Sequence, residues 1–302
     1  MIVRSILAAL LALMLGVGPA FAQDKMPVVA TFSILADFVK NVGGDRVSVS
    51  MLVKPNGDAH VYQPSPADAK MLADAKIVFM NGLGLEGWLG RLIKASGTRG
   101  AVVIATKGIK PHEMKEEDGG HGKEHEHKLD PHAWQSIANA KIYTANICDA
   151  LIAADPAGKK IYEENAADYL KRLTALEKEV KDAVAKIAPA KRRVITTHDA
   201  FGYFAKAYGI EFIAPQGVST ETEASAKDVA KIIRQIRAEK IPAVFMENIS
   251  DPRLMQQIAK ETGAKIGGTV YSDSLSGEKG PASTYIDMMR HNMRQFSAAL
   301  TS

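Results

Sequence analysis

Residues 27–53 read PVVATFSILADFVKNVGGDRVSVSMLV. The stretch opens on a short apolar run at 27–32. Residues 34–42 then carry apolar side chains at helical spacing and stop at Gly43-Gly44. Residues 47–53 are β-branched and alternate in polarity. A strand, a helix and a second strand in such quick succession form a βαβ unit, which implies a parallel sheet with right-handed crossovers.

Working outward, the alternation continues. A helix is expected over 65–75, with Pro66 in its first turn, where a missing N–H costs nothing. Strands are expected at 76–80 and 101–104. The pattern returns after residue 190, with a strand at 193–197, a helix from Ala200 to Tyr208 ending at Gly209, and strands at 243–246 and 265–270. An offset of 166 positions places Val28-Val29 on Val194-Ile195, Phe38 on Phe204, and Val78-Phe79-Met80 on Val244-Phe245-Met246. One offset matching both places points to an internal duplication.

Between the halves, residues 155–189 read as one helix. Asp155 suits the N-cap and Pro156 the first helical position. Tyr162, Ala166, Tyr169, Leu173, Leu176, Val180, Ala183 and Ile187 form a narrow apolar stripe, and Pro189 ends it. At 1.5 Å per residue such a helix is about 50 Å long. The expected organisation is a signal peptide at 1–22, an N-terminal lobe at 23–154, the connecting helix at 155–189 and a C-terminal lobe at 190–302.

The signal peptide is read from Arg4, the apolar run at 6–17 and the Ala-x-Ala site at 20–22. The run is too short to span a membrane, which takes about 20 apolar residues. No cysteine lies near the cleavage point, so the mature chain is expected to be exported, soluble and not lipid-anchored. The sequence has 302 residues, 46% of them hydrophobic, enough for two globular domains. A net charge of +4, from 38 basic and 34 acidic residues without clustering, gives no reason to expect a nucleic-acid partner. The single cysteine, Cys148, excludes an intramolecular disulfide framework and a Cys-rich zinc or iron–sulfur site, and reads as a small buried helix residue.

Eight histidines remain to be placed. Four, at 112, 121, 125 and 127, fall in the segment 110–128, which is rich in histidine and acid and has no apolar period. It reads as a mobile surface loop. His291 lies in a C-terminal helical segment and reads as a packed or solvated side chain. His60 follows the strand at 47–53, His198 follows the strand at 193–197, and Asp273 follows the strand at 265–270. His132, in Asp130-Pro-His-Ala-Trp134, sits at an expected helix start. Ligand sites in open α/β sheets lie beyond the carboxyl ends of strands. Three imidazoles and one carboxylate make a four-donor set suited to zinc. The intervals of 72, 66 and 75 residues contain no short metal motif, so spacing alone does not bring the four together. Glu247 is either a hydrogen-bond partner of one of these histidines or a solvated strand end. Asp130 is either such a partner or a helix cap.

The segments 29–38, 57–66, 130–134, 197–204 and 271–275 resemble the zinc/manganese solute-binding proteins of ABC transporters, the cluster A-I or cluster 9 family. The resemblance covers essentially the whole mature chain. It implies an α/β fold of two (β/α)4 lobes with parallel sheets, joined by one long backbone helix, and one metal ion between the lobes. It places the metal ligands on His60, His132, His198 and Asp273. It also implies delivery to an ABC permease in the inner membrane, a periplasmic location, and no enzymatic activity. Manganese-type members usually carry glutamate at the third position; His198 there points to Zn2+, with Mn2+ or dual specificity as the alternative. The loop 110–128 resembles the loops of zinc-specific members, though it is shorter, and is a candidate for zinc capture or for docking a periplasmic zinc chaperone. The chain is expected to be monomeric. A zinc-dependent hydrolase would use three of the same ligands and keep one position open for water, but no general base or nucleophile accompanies the set.

Overall fold

The computed structural model describes residues 24–113 and 129–301. The signal peptide expected at 1–22, and all but the first four residues of the loop expected at 110–128, lie outside these. Among the described residues, no helix is long and apolar enough to cross a membrane.

The first half begins with β1 (Met26–Phe32), α1 (Ser33–Gly43) and β2 (Val47–Val53). It continues through α2 (Pro66–Asp74), β3 (Ile77–Met80), α3 (Leu89–Ser96) and β4 (Ala101–Ile104). All pairings are parallel in the order β2-β1-β3-β4, with Val28 opposite both Val49 and Ile77. The turn at the end of α1 needs its glycines. Gly44 has φ +53°, and a Cβ on Gly43 would stand 2.2 Å from Val47 Cγ2. At α2, Asp68 accepts the Ser65 backbone N–H at 2.7 Å, a capping interaction just ahead of Pro66.

A two-stranded antiparallel pair, β5 (His112–Glu113) and β6 (Leu129–Asp130), brackets the segment outside the described residues. The helix expected to open at His132 is instead a 3₁₀ turn over Ala133–Gln135, because Ser136 returns to extended backbone; α4 (Ile137–Ala154) follows. The long connecting helix α5 spans Lys159–Ala185. It is about 40 Å long rather than 50 Å. Asp155 does not cap it. Its carboxylate is held by Arg46 at 2.8 Å and by the Tyr162 hydroxyl at 2.7 Å, and Pro156–Gly158 makes a separate 3₁₀ turn. The stripe holds through Val180 and then steps to Val184 instead of Ala183, keeping the 3.6-residue period.

The second half contains β7 (Arg193–Ile195), α6 (Gly202–Tyr208), β8 (Glu211–Ile213), α7 (Ala226–Glu239), β9 (Ala243–Glu247), α8 (Arg253–Thr262), β10 (Lys265–Val270) and α9 (Tyr285–Leu300). Its sheet runs β10-β9-β7-β8, again all parallel. Counted within each half, both sheets have the strand order 2-1-3-4. The strands superposed by the 166-residue offset, β1 with β7 and β3 with β9, are the central pair of each sheet. The long helix packs on α1 and α4 of the first half and on α9 of the second. Polar contacts fix it on both sides: Lys141 to Glu177 at 2.7 Å, and Arg290 to both oxygens of Glu179 at 2.8 Å.

Candidate metal centre

Each of the four side chains stands on a loop that leaves the carboxyl end of a strand or the short hairpin. His60 ends the turn after β2, where Asn56 takes a left-handed φ of +60°. His132 precedes the 3₁₀ turn after β6, His198 lies three residues past β7, and Asp273 three past β10. The structure brings all four together. One donor atom from each lies within 4.8 Å of the others, and all four residues are buried. His60 Nε2 is 3.2 Å from His132 Nε2 and 3.2 Å from Asp273 Oδ2. His198 Nε2 is 3.2 Å from the same Oδ2, and His132 Nε2 is 3.5 Å from Asp273 Oδ1. A tetrahedron with metal–nitrogen bonds of 2.0–2.1 Å has edges of about 3.3–3.4 Å. The four separations, 3.2–3.5 Å, are close to that figure, while the whole set spans up to 4.8 Å, so the donors lie near a four-coordinate arrangement that a bound ion would draw together.

The histidines are aimed by carboxylates. Asp130 Oδ1 accepts from both the His132 backbone N–H at 2.9 Å and ring Nδ1 at 2.8 Å. Glu247, nearly fully buried at the end of β9, receives the Thr197 and His198 backbone N–H groups on Oε1 at 2.7 and 3.0 Å. Its Oε2 lies 2.5 Å from His198 Nδ1. With the Nδ1 of His132 and of His198 facing a carboxylate, the proton of the neutral imidazole belongs on Nδ1 in both and the Nε2 lone pair faces the centre. Both alternatives left open by the sequence, for Asp130 and for Glu247, resolve to partnership with a site histidine. Asp58 was not singled out from the sequence. Its Oδ1 accepts the His60 backbone N–H at 2.8 Å. The signal was present, since Asp58-Ala-His60 and Asp130-Pro-His132 share one Asp-x-His spacing.

Electrostatics follow from this enclosure. Burial would push the His132 imidazole down, but the charge of Asp273 and the hydrogen bond to Asp130 outweigh it and raise it to about 9. Burial likewise opposes protonation of His198, and Glu247 and Asp273 overcome it. Asp273 is driven up by burial and further down by His132 and His198, so it stays ionised. The buried Asp273 Oδ1 has no hydrogen-bond partner. His132 Nε2 faces it at 3.5 Å, and a bound cation would satisfy it in place of that imidazole's proton. His291 and Cys148 lie elsewhere: His291 Nε2 is 2.9 Å from the Thr269 carbonyl and its ring packs on Tyr271, and Cys148 is buried in α4.

Residues 28–299 match the family described as zinc-uptake complex component A, periplasmic. Over 97% of its length the chain is 32% identical to the manganese ABC transporter substrate-binding lipoprotein PsaA of Streptococcus anginosus, covering 95% of that protein. It is 35% identical to the iron-binding protein YfeA of Yersinia pestis, over 90% of this chain and 85% of that one. Among solved structures, the periplasmic zinc-binding protein TroA of Treponema pallidum superposes with a TM-score of 0.85 at 29% identity, covering 92% of this chain and 99% of TroA. The chain belongs to this family of metal-binding substrate-binding proteins of ABC importers, whose members are transport components rather than enzymes.

Proposed function

We propose that this protein is a periplasmic zinc receptor that holds one Zn2+ between its two halves, through His60, His132, His198 and Asp273, and delivers it to an inner-membrane ABC permease. The observation that carries this reading is the convergence of three buried imidazole Nε2 atoms on one carboxylate, each at a separation that a tetrahedral zinc ion would bridge. Zinc is here the cargo. Asp273 fills the position that a catalytic zinc would leave to water, which argues against a hydrolase. The halves act as two lobes, residues 23–154 and 190–302, on either side of the helical connector.

Manganese, or both metals, is the second reading. Asp273 favours it by presenting both oxygens to the centre, Oδ2 towards His60 and His198 and Oδ1 towards His132. Relatives named for manganese and for iron point the same way. Against it, imidazole donors suit zinc better than manganese, which takes oxygen-rich octahedral sites. Zinc and manganese dissociation constants, obtained by competition with a calibrated chelator, decide between them. The wild type should bind zinc more tightly than manganese, as the divalent-metal affinity order and the imidazole donors both favour. His198→Glu should narrow that preference. Near-equal affinities in the wild type would favour the second reading, and a ratio unmoved by His198→Glu would remove His198 from the ion.

A further inference from the structure

We propose that the hydrogen bond between Thr220 and Asp58 is a latch that keeps His60 on the bound ion and sets the rate of metal release. This inference rests on the receptor reading above.

Three of the four site residues are completely enclosed, while His60 retains 6% exposure and the next residue, Val61, is 46% exposed. The ion's way out is therefore on the His60 side. His60 is carried by the loop 54–60, and that loop is tied to the second half along its length, starting with Ser274 Oγ donating to the Lys54 carbonyl at 3.4 Å. Its first part is fixed by the Asn56 backbone N–H donating to the Leu275 carbonyl at 2.9 Å and by Asn248 Nδ2 donating to Asn56 Oδ1 at 3.1 Å. Its last part is fixed through Asp58. One oxygen of that carboxylate accepts the His60 backbone N–H, and the other accepts the Thr220 hydroxyl at 2.6 Å.

Thr220 lies on the loop between β8 and α7, which is itself built onto the His198 segment. Gln216 N–H donates to the Thr197 carbonyl at 3.3 Å and Asp199 N–H to the Gly217 carbonyl at 3.2 Å. The Gln216 side chain crosses the loop to the Thr220 and Thr222 carbonyls at 3.3 and 2.7 Å. A continuous chain of bonds thus runs from the His198 segment through Gln216 and Thr220 to Asp58 and His60. It joins a donor of one half to the outermost donor of the other. A hydroxyl bonded to a carboxylate is among the stronger hydrogen bonds. With it in place, Asp58 holds the His60 backbone still. Once it breaks, Asp58 and His60 are free to move away from the centre together. Encounter of the ion with the open site does not require the bond, so the latch acts on release rather than on capture.

The test uses the mature full-length protein loaded with one equivalent of Zn2+. Release is followed by stopped flow into excess chromophoric chelator, and capture is measured separately with the zinc-free protein. Thr220→Val keeps the shape and removes the hydroxyl, whereas Thr220→Ser keeps the hydroxyl and removes the methyl group. The latch predicts release about tenfold faster in Thr220→Val, equivalent to about 1.4 kcal/mol. It predicts release within about twofold of wild type in Thr220→Ser, with capture rates unchanged in both. Asp58→Asn retains an acceptor for the His60 N–H but removes the charge, and should accelerate release about threefold. Wild-type release in Thr220→Val, fast release in Thr220→Ser, or no acceleration in Asp58→Asn would each overturn the latch. A wild-type protein that does not retain zinc would overturn the receptor reading instead.

Discussion

Glu247 sets its Oε2 2.5 Å from His198 Nδ1 while its Oε1 anchors two backbone N–H groups, a placement that favours the tautomer with Nδ1 protonated and Nε2 free to face the centre. Glu247→Gln keeps an oxygen for the backbone but presents an amide N–H to Nδ1. The imidazole must then put its own proton on Nε2, where it blocks a metal bond. Zinc affinity should fall by about 10–100-fold, the usual cost of losing such a partner, while the metal-free protein melts within a few degrees of wild type. Chelator competition and a thermal scan check both halves of this expectation. Unchanged affinity would mean that the His198 tautomer is set by something else.

At the scale of elements, α1, α5 and α9 meet at a buried carboxylate. Asp37 of α1 accepts the backbone N–H of Tyr285, the first residue of α9, at 3.0 Å, and the Tyr169 hydroxyl of α5 lies 3.5 Å away. Burial raises this acid to about 6, against the lowering effect of the Tyr285 N–H. Its protonated form therefore favours the fold below the ordinary carboxylate range, and that contribution is lost as the pH rises to about 6. A raise of about 2 units corresponds to about 3 kcal/mol. Asp37→Asn keeps an acceptor for Tyr285 and cannot ionise. It should stabilise the metal-free protein by up to about 3 kcal/mol at pH 7.5 and leave it nearly unchanged at pH 4, as read by denaturant unfolding at the two pH values. An effect of equal size at both would show that Asp37 does not titrate across the junction. Legibility in the sequence divides along the same elements. The strands of the first half and the long helix were readable because their apolar periods run for several residues. Three-residue β8 and two-residue β5 and β6 are too short to show a period, since tertiary pairing alone makes them strands. The late start of α5 was hidden because Asp155 is a good cap by type, and only the fold brings Arg46 and Tyr162 to it. Each site residue was marked by its place after a strand or turn, but their convergence across 72, 66 and 75 residues is a property of the tertiary fold.

At the scale of the whole molecule, the repeated frame carries a site that is not repeated. The position that the 166-residue offset pairs with His198 is Phe32, and the one it pairs with His60 is Ala226. Each half supplies two donors, His60 and His132 from the first, His198 and Asp273 from the second, so neither half holds the set alone. The halves are joined beside the site. Trp134 Nε1 and Gln135 Nε2 both donate to the Ser272 carbonyl, at 2.9 and 2.8 Å, next to Asp273. One hydrophobic core runs from β1 through α5 to Phe296 of α9, while a smaller one lies under β7 and β9. The most direct test of this shared site is zinc-edge X-ray absorption on protein loaded with one equivalent of Zn2+. Residues 114–127 should first be replaced by a short Gly-Ser linker, because Glu113 and Leu129 are paired across β5 and β6 and need a turn between them. That change removes His121, His125 and His127 as donors. The account predicts that the ion is retained with a first shell of three imidazole nitrogens at about 2.0–2.1 Å and carboxylate oxygen at about 2.0–2.2 Å. Loss of the ion on replacing residues 114–127, or a shell with fewer than three imidazoles, would contradict it.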